Sequence, residues 1–75
     1  MQTLRAARPD PWIDQIFAAR AAVTGGVIRR NVDWVAREIG EERFFLEVRR
    51  RGFHLMRAGN QYLILCAPEP VQFLF

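Results

Sequence analysis

Residues 49–66 read RRRGFHLMRAGNQYLILC, and the change of rhythm inside them decides the fold. Before Gly52 the apolar residues recur at helical spacing; after it they alternate. Phe44, Phe45 and Val48 mark the buried face of a helix that the spacing predicts from about Glu41 to Arg51, with Gly52 closing it. Beyond, FHLMR and QYLILC flank AGN, and Gly59-Asn60 is a two-residue turn that suits the twist of a β-hairpin. That turn sets Arg57 opposite Tyr62, Leu55 opposite Ile64 and Phe53 opposite Cys66. Alternation then puts His54, Met56, Leu63 and Leu65 on the other face from Phe53, Leu55, Ile64 and Cys66. Both faces are mostly apolar, so a second layer has to cover each of them.

Working backwards, Gly40 ends a helix capped by Asn31, with Val32, Val35, Ala36 and Ile39 on one side. Val27-Ile28 is a short β-type pair. Before it, Gly25-Gly26 ends a helix that starts at the Asp10 cap and Pro11 and carries Ile13, Ile16, Phe17 and Ala21 on one face. Working forwards, APEP breaks the hairpin and VQFLF follows, with Val71, Phe73 and Phe75 on one side of a strand-like tail. Either this tail folds over Met56, Leu63 and Leu65, or another chain does. The divisions expected are an N-terminal arm (1–10), a folded unit (11–66) and an apolar tail (67–75).

The order helix, short strand, helix, helix, hairpin resembles a winged helix-turn-helix domain across residues 11–66. The fold class expected is α+β, with three helices, a short strand and a C-terminal hairpin. Val35–Gly40, VAREIG, carries the local likeness: Ala36 and Gly40 stand four apart, the small residue allowing close helix approach and the glycine a positive φ. Glu41 departs from the pattern, which has an apolar residue after the glycine, and this points to a shortened turn. The chain is also similar to a family of short bacterial proteins of unknown function, through Gly25–Arg30 (GGVIRR), Glu47–His54 (EVRRRGFH) and Gln61–Cys66 (QYLILC). Some of that family carry the label phosphoribosylanthranilate isomerase. Such an enzyme is a (β/α)₈ barrel of at least about 200 residues, which does not fit 75.

Composition narrows the chemistry. Seventy-five residues, 51% of them apolar, make one domain with one small core. No apolar run approaches the roughly 20 residues of a membrane span, and the first residues lack the apolar segment of a secretory signal. A single cysteine fits a reducing cytoplasm. With no Ser, no Lys, one His and one Cys, a serine triad and a zinc site are excluded; Cys66 and His54 fall on opposite hairpin faces. Neither catalysis, a cofactor, a metal nor a small-molecule substrate is expected.

The net charge is +3, with eleven Arg spread along the chain. Arg49, Arg50 and Arg51 complement the negative end of their helix, and Glu47 is placed to engage Arg51. A phosphate-binding mode draws on Arg43 and Arg50 of that helix, Arg57 on the wing, Arg29 and Arg30 on the short strand, and Arg5 and Arg8 on the arm. Glu41 and Glu42 oppose base readout through the start of the helix. Two functions follow as expectations: a nucleic-acid-binding regulator, or a protein-interaction module or homodimer using Met56, Leu63, Leu65, Phe73 and Phe75.

Overall fold

The computed structural model describes residues 11–75. The Asp10 cap, the N-terminal arm and its Arg5 and Arg8 lie outside the described residues. Within them the chain forms α1 (Pro11–Phe17), α2 (Arg20–Thr24), β1 (Val27–Asn31), α3 (Val32–Glu38), α4 (Glu41–Arg50), β2 (His54–Ala58) and β3 (Gln61–Leu65). The three strands make one antiparallel sheet in the order β1-β3-β2. Thus the described residues hold four helices and a three-stranded sheet, an α+β arrangement.

The additional helix comes from a break at Ala19. A continuous helix from Pro11 would set Arg20 at i+4 from Ile16 and i+7 from Ile13, on the buried stripe. Burying an unpaired guanidinium is costly. Ala19 instead adopts an extended backbone (φ −61°, ψ 149°). The next turn is thereby redirected, leaving Arg20 exposed while Ala21 and Ala22 pack against the core.

The hairpin has the register read from the sequence: Arg57 pairs with Tyr62 and Leu55 with Ile64 across the Gly59-Asn60 turn. Gly59 takes φ +63°, which the turn requires. The first strand is longer than expected, five residues rather than two. Its whole length pairs with β3, from Val27–Leu65 to Asn31–Gln61. Ile28, Ile64 and Leu55 form one row on the core face, and Arg30, Tyr62 and Arg57 the next. Val27, Leu65 and His54, then Arg29, Leu63 and Met56, form rows on the outer face.

The core lies between the inner sheet face and the helices. Ile16, Val32, Val35, Phe44, Val48, Tyr62, Ile64 and Cys66 are all buried in it. Two expectations for the helices are corrected. Phe45 is 42% exposed, because α4 turns Phe44 and Val48 inward and Phe45 stands beside that stripe. Ala36 is also exposed, so close helix approach does not run through it; Val32 and Val35 make the buried side of α3 instead. The turn between α3 and α4 is two residues, Ile39-Gly40, with Gly40 at φ +99°. A side chain there would be strained, so the glycine is needed for the short turn.

Asn31 caps α3 as expected, its Oδ1 accepting from the Trp34 N–H at 2.9 Å. Asn31→Ala should lower stability by about 1 kcal/mol, read as a shift in the urea midpoint at constant slope. An unmoved midpoint would mean that the cap contributes nothing. The hairpin turn is fastened to the same helix start. Val32 N–H donates to the Asn60 carbonyl at 2.9 Å, and Asn60 Nδ2 donates to Asp33 Oδ2 at 3.2 Å. The tip is therefore held against α3 rather than projecting as a free wing.

The tail does not fold over the outer sheet face. Val71 to Phe75 are exposed, Phe73 at 86% and Leu74 at 75%. Met56, Leu63 and Leu65 are only half-buried. Of the two covers that the sequence leaves open, the chain's own tail does not supply one here. The Pro68–Glu69–Pro70 segment leads the chain away once His54 Nε2 has met the Glu69 carbonyl at 2.7 Å.

Candidate functional site

The side of α4 opposite Phe44 and Val48 is the natural place to look for a site. Arg43, Leu46 and Arg50 stand at i, i+3 and i+7, so they share one line on that side. All three are exposed, Leu46 at 62%. Leu46 is absent from the residues expected at a site; its signal in the sequence is an apolar residue out of phase with the buried stripe.

Glu47 is the hinge of the charge pattern at the end of α4. Its Oε1 accepts from Arg50 Nη2 at 3.0 Å and also from Arg51 Nη1. Partial burial acts to raise the Glu47 pKa, but the hydrogen bonds and charges of the two arginines hold it below the ordinary carboxylate value. Glu47 thus engages Arg51 as expected and Arg50 as well, the two sharing one carboxylate oxygen. What differs is their setting. Arg51 is partly buried and stacks on Phe17, its guanidinium carbon 4.1 Å from the ring centroid, whereas the Arg50 side chain stays 67% exposed. Arg51 holds α4 to α1; Arg50 remains accessible.

Arg57 and Arg30 flank Tyr62 on the inner face of the sheet. Arg57 Nε donates to the Gly59 carbonyl at 2.9 Å, and Arg30 Nη1 to the Arg29 carbonyl at 2.6 Å. Arg29 projects from the opposite, outer face beside Leu63. The structure therefore brings Arg30 and Arg57 to the α4 side of the sheet and puts Arg29 behind it. Arg49, expected only to complement the helix end, lines a groove between α4 and β2.

One of the two carboxylates at the start of α4 is turned towards the sheet. Tyr62 donates its hydroxyl to Glu41 Oε2 at 2.6 Å. Burial, followed by this hydrogen bond and the Glu41 charge, pushes the Tyr62 pKa from 10.0 to about 12. Because the folded value is the higher one, this stabilisation is fully present below pH 10 and disappears as pH rises through about 12. Tyr62 is the only tyrosine, so tyrosinate absorbance reports it alone. Glu41→Gln should move that titration to lower pH; a titration at the ordinary value in the native chain would contradict the contact.

Cys66 is buried, and burial raises its thiol pKa. Its sulfur lies 3.8 Å from the Ile64 carbonyl, while His54 is on the outer face. The described residues contain no cluster of three or more His, Cys, Asp or Glu that could hold a metal ion. No described helix is long and apolar enough to cross a membrane. Comparison with protein-family models, with curated proteins and with solved structures gives no match to this chain, so its function is read from its own geometry.

Proposed function

We propose that this chain is a small, non-catalytic, winged-helix-like module that binds nucleic acid, DNA in the first instance, in a regulatory role. Its affinity comes chiefly from arginine–phosphate contacts. The observation that carries the reading is the exposed line of Arg43, Leu46 and Arg50 on α4, the helix that follows α3 across a two-residue turn. Support also comes from the hairpin that follows α4, whose Arg57 stands on the same side of the sheet as that helix. Arginine suits this role because its planar fork binds phosphate oxygens in pairs.

The start of α4 is the weaker end for docking. Tyr62 engages Glu41, but Glu42 remains exposed and would meet phosphates at an electrostatic cost. The helix therefore lies along a duplex by its outward line rather than entering a groove end-on, and Leu46 offers an apolar contact to a thymine methyl. Sequence preference is accordingly modest.

Fluorescence anisotropy on mixed-sequence duplex DNA and single-stranded RNA, repeated at stepped salt, tests the reading. Binding should weaken linearly on a log–log plot against salt, with a slope of about −0.9 per phosphate contacted on duplex DNA. No binding at low salt, or an affinity indifferent to salt, would overturn it.

A further inference from the structure

The groove between α4 and β2 and the exposed tail are complementary features of one chain. The groove has a volume of about 680 Å³, and its lining includes Phe45, Val48, Leu55 and Tyr62 together with the charged Glu41, Arg49 and Arg57. One wall is β2, an edge strand whose only pairing among the described residues is with β3. Its outer backbone groups are thus available to another strand. The tail Val71–Phe75 is five residues long, as is β2, and alternates Val71, Phe73 and Phe75 with Gln72 and Leu74. Such a segment is built to add to a sheet edge, with alternate side chains entering a groove.

We infer that the tail of one copy docks as an added strand on β2 of a second copy, reciprocally, so that the chain is a homodimer. The Phe73 and Phe75 side chains enter the α4–β2 groove and pack on Phe45 and Leu55. Three observations select a second copy as the occupant. His54 holds the Glu69 carbonyl, and the stiff Pro-flanked segment then delivers the tail away from its own body, every side chain from Val71 to Phe75 exposed. The tail carries no charged side chain, and Phe45, Val48 and Leu55 give the groove an apolar part of its lining. The area suffices as well. Two phenylalanines bury about 300–500 Å² per tail. Adding the matching groove surface and the reciprocal contact brings the total into the range of about 1,200–2,000 Å² found for stable interfaces.

The inference does not depend on nucleic-acid binding and is tested without it. Sedimentation of the full chain should give twice the 8.7 kDa mass of one copy. Phe73→Asp should weaken dimerisation at least about thirtyfold, the effect of a central aromatic anchor. Since Phe73 is 86% exposed, the variant should keep an unchanged circular dichroism spectrum. Phe73→Leu should retain the dimer. Hydrogen exchange locates the interface: amides of residues 54–58 should be slow in the native chain and faster in Phe73→Asp. A monomeric native chain overturns the inference, whether or not the tail protects its own β2. So does a dimer that survives Phe73→Asp, or one that dissociates without any change in β2 exchange.

Discussion

Phe44→Ala will leave the chain unfolded at ambient temperature. Phe44 is fully buried, with its ring centroid 5.2 Å from that of Tyr62 and 6.4 Å from that of Phe45. It links α4 to the sheet at the centre of the core. Truncating a buried phenylalanine costs about 3–5 kcal/mol, and a domain of this size has only about 3–5 kcal/mol in total. No neighbouring element can close the cavity without moving either the helix or the sheet. Far-ultraviolet circular dichroism and a urea titration check the outcome. A cooperative transition within about 1 kcal/mol of the native chain would show that the core repacks, contrary to this account. Leu46→Ala on the exposed side of the same helix is the control, and its effect should stay within about 0.5 kcal/mol.

The second large effect concerns binding. Replacing both Arg43 and Arg50 with alanine should make the salt dependence shallower by about two units, one for each arginine that no longer reaches a phosphate. Taking 1 M salt as the point where counterion release vanishes, that corresponds to about sixtyfold weaker binding at 0.1 M. The weakening should be similar across DNA sequences, because phosphate contacts carry no sequence information. Arg51→Ala should behave differently. It removes the stacking on Phe17 and one of the two arginines that engage Glu47, so it should lower stability and leave the salt slope nearly unchanged. Anisotropy titrations on the folded variants separate the cases. An unchanged slope in the double variant would remove α4 from the interface.

The features legible in the sequence are those set by short-range physics. The Gly59-Asn60 turn fixes φ and loop length locally, and the register of β2 on β3 follows residue by residue. Asn31 satisfies an N–H three residues away, so the cap of α3 needs no knowledge of the rest of the chain. The inward stripe of α4 through Phe44 and Val48 follows from helical period alone. The opposition of His54 and Cys66 follows from strand period.

Tertiary structure decided matters in which several locally acceptable choices compete. The alanines at 18 and 19 favour helix, yet the chain breaks there because a continuous helix would carry Arg20 into the core; the spacing held that signal, but only the position of the core gives it meaning. Phe45 and Ala36 are adjacent to buried stripes, and which edge of a stripe is covered depends on the orientation of the neighbouring element. The full length of β1 forms because β3 is there to pair with it, across a long separation in the chain. The candidate site divides in the same way. Helical spacing alone placed Arg43 and Arg50 on α4, but the sheet determined that Arg30 joins Arg57 while Arg29 faces away. The stacking of Arg51 depends on α1 bringing Phe17 beneath it. Charge and hydrophobicity are properties of residues, whereas burial and pairing belong to the arrangement, because each needs a partner surface that sequence neighbours do not supply.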